Sequence, residues 1–281
     1  MNDYLLAAIL GVVEGLTEFL PVSSTAHLRI SEALLGIDLA DGYWKMFAIV
    51  IQLGAILCLP IFFRARIGEF LTTFPRGKRG NRNALNHPLT LVMIAFLCTA
   101  GPAFLLKKVI GKNLENLMLM GSALIVGGIV MWMVDAMYGE RGGAVEDVEQ
   151  MGLGQAIWIG LCQNLSAIFP GTSRSMATIA AGQIAGFSRA AALEFSFLLS
   201  IPTMIAATGY DFLKYLKTSP APLDSHQKVV LGIGFVVSFL VAYAVVAWFM
   251  HWVRRRGFVP FAIYRVIVGG AVLAWAIKGA H

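Results

Sequence analysis

Apolar residues come along this chain in long unbroken runs, with little of the alternation that marks a strand, and the lengths of the runs set the architecture. Hydrophobic stretches at about 43–63, 88–106, 117–138, 190–214, 228–252 and 258–277 are long enough for a helix to cross the ~30 Å hydrocarbon core of a bilayer. They predict six spanning helices. Two further regions differ. Each opens with a 17-residue run, 4–20 and 153–169, ending at Pro21 or Pro170, and continues with a run of about 14 residues ending near Gly36 or Gly186. At ~1.5 Å per residue the second run covers only roughly 20 Å. Each region therefore reads as a re-entrant helical hairpin, 4–36 and 153–186, broken at Pro21 and at Pro170-Gly171. One hairpin followed by three crossings makes a half, so the second half enters from the opposite face. The expectation is an all-α polytopic membrane protein, a single domain over 1–281, built as an inverted-topology repeat with halves at about 1–138 and 153–281.

Composition agrees. Of 281 residues 58% are hydrophobic, 14% are charged and 29 are glycine, far from a soluble domain and suited to close helix contacts in a membrane. The polar stretches 64–87, 139–152 and 215–227 are loop-sized. No basic flank precedes the apolar N-terminal run, which argues against a removable signal peptide. Cys58, Cys98 and Cys162 lie in apolar runs without metal or disulfide spacing. Arg64, Arg66, Arg76, Lys78, Arg79 and Arg82 fall on the same side as Arg254, Arg255 and Arg256, which makes that side cytoplasmic and puts both termini outside. Lys107, Lys108 and Lys112 on the outer side weigh against this. The basic run at 76–82 reads as an orientation signal or an anionic-lipid contact rather than a nucleic-acid patch.

Against this background the segment Glu14-Gly-Leu-Thr-Glu18-Phe-Leu-Pro21-Val-Ser-Ser-Thr-Ala-His27 and its degenerate copy Gln163-Asn-Leu-Ser-Ala-Ile-Phe-Pro170-Gly-Thr-Ser-Arg174-Ser-Met-Ala-Thr178 stand out, 149 residues apart on the pairs Leu16 with Leu165, Pro21 with Pro170 and Ser24 with Ser173. Ionisable groups in the bilayer are costly and mark function by default. Ser23 and Ser24 after one proline, and Thr172 and Ser173 after the other, stand where caps of the second half-helices belong. Two helix N-termini directed at the midplane favour an anion, phosphate above all, and Arg174 adds the fork that fits a phosphoryl group. Glu14 and Glu18, Ser23 and His27, and Arg174 and Thr178 are each four apart and share a helix face. Taken singly, the serines are ordinary caps, His27 a satisfied buried histidine, and Arg174 half of an ion pair; their coincidence at two matching breaks is what favours a site. Gln52 either lines the same pocket or bonds a neighbouring helix. Arg265, inside the last run, needs a partner, for which Glu194 or another acid serves.

These motifs resemble the membrane-integral undecaprenyl-pyrophosphate phosphatases of bacteria, the family associated with bacitracin resistance. The likeness extends over essentially the whole chain, taking in Ile51-Gln-Leu-Gly54, Glu194-Phe-Ser-Phe-Leu-Leu and Phe258-Val-Pro-Phe-Ala-Ile-Tyr-Arg265. Ala26 and Met176 stand where many relatives carry glycine, and are expected to narrow the pocket without removing a reactive group. The resemblance implies removal of the terminal phosphate of a C55 polyprenyl pyrophosphate at a site facing the outer side of the bacterial inner membrane. It implies Glu14 and Glu18 as ligands of a divalent cation, Mg²⁺ or Ca²⁺, and Arg174, Ser173 and the 172–175 backbone as the phosphoryl holder, with Ser23, Gly171, Thr172, Ser175, Thr178 and Gln52 around the substrate. His27 is favoured as the reactive group, either as nucleophile or as general base, with Ser24 or Ser173 as the alternative attacking group. Lipid substrate and bilayer are the expected partners, nucleic acid is not, and the chain leaves a homodimer open. A transporter or flippase of the phosphorylated lipid is the rival reading, since inverted repeats with broken helices also serve transport.

Overall fold

The computed structural model describes residues 2–37, 42–113, 116–139, 145–218, 223–253 and 255–278. Arg254, one of the arginines used for orientation, lies outside them. Every regular element among the described residues is helical. Six helices are long and apolar enough to cross a membrane: α3 (Gly42–Phe62), α5 (Pro88–Leu105), α7 (Leu117–Tyr138), α10 (Arg189–Thr218), α11 (Ser225–Val253) and α12 (Val259–Lys278). They fall on the six predicted runs. Hydrogen bonding carries α10 and α11 a few residues into polar sequence, where hydrophobicity gives no sign of it. The stretch 64–87 is not all loop. It opens with α4 (Arg64–Thr73), a short helix too polar to register as a membrane element, and α6 (Lys107–Asn113) likewise follows α5.

The two interrupted regions each form a pair of helices in contact: α1 (Asp3–Thr17) with α2 (Ser24–Leu34), and α8 (Leu153–Ile168) with α9 (Arg174–Ile184). The first helix of each pair stops short of its proline, α1 at Thr17 and α8 at Ile168, because a proline has no N–H to donate and biases the residue before it away from helix. The second helices are both 11 residues long and end alike. Gly36 and Gly186 take positive φ (69° and 88°), and the next N–H reaches back into the last turn, Ile37 to the Glu32 carbonyl at 2.9 Å and Phe187 to that of Gly182 at 3.0 Å. This is the left-handed glycine stop.

Both starts are also alike. Ser23 and Ser173 precede the second helices with φ of 74° and 72°, a left-handed conformation that non-glycine residues rarely adopt and that is stored at functional sites. Caps and glycine stops thus match at an offset of 150 residues, while the prolines match at 149. The sequence pairing of Ser24 with Ser173 is therefore corrected to Ser23 with Ser173. The second break simply holds one more residue between proline and cap.

Around these pairs α7 packs along α12, α11 packs on α1 and α3, and α8 packs on α5. Small residues allow the approach: a methyl on Gly54 of α3 would sit 2.5 Å from Ser238 Oγ and 2.6 Å from the Phe235 carbonyl oxygen of α11. Polar ties fix the charge-rich ends. Arg66 of α4 bonds Glu69, Asp147 and, at 2.8 Å, Glu194 of α10. Lys78 and Arg66 beside Glu69 hold its carboxyl below the usual carboxylate range. Asp135, buried near the end of α7, accepts from Arg189 Nε (2.7 Å) and Nη2 (3.0 Å), Gln183 Nε2 (3.2 Å) and the Phe258 N–H (3.0 Å). It joins α7, α9, α10 and the start of α12. Replacing its carboxylate leaves Arg189 without its counter-charge, so Asp135→Asn is expected to cost about 3 kcal/mol, read as a Tm several degrees lower in detergent; an unchanged Tm refutes the joint.

Candidate active site

The two breaks meet each other. Glu18 caps the C-terminus of α1, one turn beyond Glu14. Its carboxylate is held from both sides: Ser24 Oγ donates to Oε2 at 2.6 Å, and Arg174 Nη2 donates to Oε1 at 3.3 Å. Ser24 is the first residue of α2 and Arg174 the first residue of α9. One carboxylate therefore bridges the N-terminal ends of two short helices that are 150 residues apart in sequence. Three more bonds lock the breaks together, one from Ser175 Oγ to the Leu20 carbonyl at 3.0 Å and two from Arg265, described below. Ser173 Oγ accepts from the Met176 N–H at 3.4 Å and lies 3.0 Å from Ser175 Oγ, so it caps α9 as its position suggests. Ser23 makes no side-chain cap bond.

A cavity of about 310 Å³ opens on this bridge. Its wall includes Glu18, Ser23, Ser24, Gln52, Gly171, Ser173 and Arg174, all singled out from sequence. Glu14 lies behind it, fully buried, with no hydrogen-bond partner on either carboxylate oxygen. The Nε of Arg174 is buried and unpartnered as well. Both groups are costly to leave so, and both have capacity for a ligand.

Other expected residues lie elsewhere. His27 is absent from the cavity wall. Its Nδ1 meets the Ser23 carbonyl at 2.8 Å, its Nε2 meets the Tyr264 hydroxyl at 2.7 Å, and its ring stacks on that of Tyr264. Thr178 Oγ1 bonds the Arg174 carbonyl and the Ser196 hydroxyl, 2.6 Å away. Thr172 faces an apolar groove of about 550 Å³ along α7, α8 and α9. The four-residue spacings are thus real, but His27 and Thr178 spend them on backbone carbonyls one turn back. Ala26 packs with Met120, Leu124 and Val272, and Met176 borders the apolar groove; neither narrows the cavity at Glu18, contrary to expectation.

Arg265 also departs from its expected pairing. Glu194 belongs to Arg66, and Arg265 has no acid partner in the ion pairs of the described residues. Fully buried, it donates to the carbonyls of Pro21 (2.9 Å), Gly171 (3.0 Å) and Ala123 (3.2 Å). Breaking a helix leaves carbonyls without partners, and this guanidinium satisfies one at each break. Gly171, at φ 98°, brings the second break so near α7 that a side chain there would strike the Met120 carbonyl.

Sequence reading missed the remaining cavity wall. Thr25, Thr99, Gln163, Ser166 and Thr203 line it, and Gln163 Nε2 donates to Thr99 Oγ1 at 3.0 Å and Thr203 Oγ1 at 3.3 Å. Gln163 stands 149 residues after Glu14, so the acid of one half is answered by a bonded amide in the other. Lone hydroxyls in apolar spans were the available signal, and it is weak, because a threonine or serine in a helix readily bonds its own backbone.

Two short-helix starts joined through one carboxylate, with an arginine at one of them, among six helices of membrane length define a polytopic membrane protein with a buried polar centre. The chain belongs to the family described as "Bacitracin resistance protein BacA", which it matches over residues 7–271. It is 70% identical to the undecaprenyl-diphosphatase of Koribacter versatilis (strain Ellin345), covering 99% of this chain and 100% of that one. It is 41% identical to the undecaprenyl-diphosphatase of Polaromonas naphthalenivorans (strain CJ2), over 97% and 95% of the two chains, and 42% identical to that of Wolinella succinogenes, over 95% and 96%.

Proposed function

We propose that this protein removes the terminal phosphate of undecaprenyl pyrophosphate, giving undecaprenyl phosphate and inorganic phosphate. The observation that carries the mechanism is the Glu18 carboxylate held between Ser24 and Arg174. Ser24 Oγ attacks the terminal phosphorus as Glu18 takes its proton; the Oγ–P bond forms, the bridging P–O bond breaks, and the lipid monophosphate leaves. Water then attacks the phosphoserine: the new O–P bond forms as the Oγ–P bond breaks, and Glu18 returns its proton to the Ser24 Oγ, restoring the carboxylate. The proton of the attacking water leaves with the inorganic phosphate or to solvent. Arg174 and the backbone N–H groups of the two helix starts neutralise the charge spread over the phosphoryl oxygens, which is most of what phosphoryl transfer asks of a protein. Geometry favours Ser24 over the other nucleophiles. Ser173 has no carboxylate beside it, and both nitrogens of His27 are engaged outside the cavity. His27 holds the Ser23 carbonyl and thereby the start of α2.

Two carboxylates face one guanidinium at this centre, so a pyrophosphate entering alone meets an excess of negative charge. The unpartnered oxygens of Glu14 fit a hard divalent cation, Mg²⁺ or Ca²⁺, which Glu14 and Glu18 would hold and which, when bound, supplies charge neutralisation at phosphate oxygens. Among the described residues no group of three or more His, Cys, Asp or Glu side chains is placed to hold a metal ion, so Glu14 and Glu18 would hold the cation together with oxygens from outside the protein. In this reading the two helix pairs are re-entrant hairpins of an inverted repeat, the arginine-rich 64–82 side is cytoplasmic, and the cavity serves the outer face of the bacterial inner membrane. The polyprenyl tail lies in apolar surroundings, for which the groove beside Thr172 is suited.

The test is phosphate release from a C55 pyrophosphate by purified protein, with and without EDTA, for wild type, Glu18→Gln and Ser24→Ala. Release that requires metal and drops at least about 10³-fold in both variants is the expected result. Tight lipid binding without release by wild type would favour transport. Full activity in Ser24→Ala would return the attack to water or His27.

A further inference from the structure

Tyr264 precedes the buried Arg265 on α12 and meets His27 of α2, 237 positions earlier in the chain. We propose that Tyr264 is a positioning residue for the hydrolysis: its hydroxyl fixes which nitrogen of His27 carries the proton, and that N–H holds the Ser23 carbonyl at the start of α2. The inference rests on the activity proposed above, in which the next residue, Ser24, attacks.

Proton accounting comes first. A carbonyl oxygen only accepts, so the 2.8 Å contact between His27 Nδ1 and the Ser23 carbonyl places an N–H on Nδ1. In the ion pairs of the described residues His27 has no acid to balance a second proton, and the ring is read as neutral. Nε2 then carries a lone pair, and the Tyr264 hydroxyl donates to it at 2.7 Å. The two breaks give the second reason. Both second helices start after a serine at positive φ, but Ser173 caps α9 with its own hydroxyl, whereas Ser23 makes no side-chain cap bond. Position 177, 150 residues after His27, is alanine, and only its backbone N–H reaches the Ser173 carbonyl, at 3.0 Å. The backbone N–H of His27 makes the matching bond at 3.3 Å, and its ring adds a second donor to the Ser23 carbonyl. His27 therefore steadies the first left-handed turn from its carbonyl side, where a serine hydroxyl steadies the second. The place of Tyr264 is the third reason. Its neighbour Arg265 takes the Pro21 carbonyl, two residues before Ser23, so α12 holds Pro21 directly and Ser23 through His27. The Tyr264 and His27 rings lie nearly parallel, 10° apart with centroids separated by 5.5 Å. Phenylalanine at 264 keeps that stack and removes only the donor. The proton is then free to move to Nε2, which turns a lone pair of Nδ1 on the Ser23 carbonyl oxygen.

The experiment reads the proton and the rate together. Wild type, Tyr264→Phe, His27→Asn and the double variant are purified with ¹⁵N-labelled histidine, and the imidazole resonance lost in His27→Asn identifies His27. Asparagine keeps an N–H donor near the place of Nδ1 and has no second nitrogen for Tyr264 to act on. Wild type should show His27 protonated on Nδ1 alone, and Tyr264→Phe should move a measurable share of the proton to Nε2. In phosphate release from a C55 pyrophosphate, Tyr264→Phe lowers kcat by about tenfold to 10²-fold and changes KM by less than about twofold. In the His27→Asn background the same substitution changes kcat by less than about twofold. Wild-type His27 protonated on Nε2, or on both nitrogens, overturns the proposal. So does a Tyr264→Phe variant in which either the proton or kcat stays as in wild type. An equal loss in both backgrounds makes Tyr264 a packing residue, and a loss of about 10³-fold or more in His27→Asn makes His27 the reacting group; each overturns it too. In a wild type that hydrolyses nothing, a proton moved by Tyr264→Phe keeps the lock on Ser23 and refutes the phosphatase alone, while an unmoved proton refutes both.

Discussion

Arg174→Ala lowers phosphate release by about 10³-fold or more, and the loss falls on kcat rather than on KM. Arg174 is the first residue of α9, with a side chain only 10% exposed, and it faces Glu18 across the junction of the two breaks. It neutralises phosphoryl oxygens as they gain charge, an interaction stronger in the transition state than in the ground state, which is the signature of a kcat effect. Arg174→Lys recovers only part of the rate, because an ammonium keeps the charge and loses the planar fork. Steady-state kinetics on variants that elute as wild type from gel filtration decide it. A tenfold or smaller loss in Arg174→Ala would move the phosphoryl holder to the backbone N–H groups alone.

The second large effect is structural. Arg265→Met is expected to destabilise the protein by about 3–6 kcal/mol, as three buried carbonyls lose their donor at roughly 1–3 kcal/mol each, less the relief of no longer burying a cation. Those carbonyls belong to Pro21, Gly171 and Ala123, so the damage is not confined to α12. Both breaks shift, and displacements of ~1 Å at a reacting centre can cost about 10²-fold in rate. Arg265→Lys should fail to rescue, since a point donor on a shorter stem cannot span carbonyls from three segments. Thermal unfolding in detergent alongside phosphate release tests this; a wild-type Tm in either variant would show that water or backbone adjustment satisfies the breaks instead.

The spans were legible because a bilayer demands length and apolarity, and both are written continuously in runs such as 117–138, which α7 (Leu117–Tyr138) matches end to end. Breaks were legible from Pro21 and Pro170, and stops from Gly36 and Gly186. The register between the breaks was not. A one-residue difference in loop length is invisible until Ser23 and Ser173 are seen to share a left-handed φ. The acid, serine and arginine at the centre could be named from spacing and resemblance, yet which of them touch could not. His27 shares a helix face with Ser23 but turns to Tyr264, and Arg265 finds carbonyls where an acid was expected. Such contacts depend on how α12 packs against residues more than 90 positions away in sequence, which no local pattern encodes.

Arg265 also has a consequence for how the protein is made. It sits on α12, which follows every other described helix in the chain, while the carbonyls it satisfies belong to residues synthesised far earlier. Until that segment leaves the ribosome and enters the bilayer, the Pro21 and Gly171 carbonyls lack this donor, and the two helix starts are held only by the Glu18 bridge and the bond from Ser175 to the Leu20 carbonyl. A nascent or truncated chain therefore exposes polar backbone at two points, and membrane quality control can recognise it as unfinished. Arg265 thus makes the backbone at both breaks depend on the arrival of the last described helix.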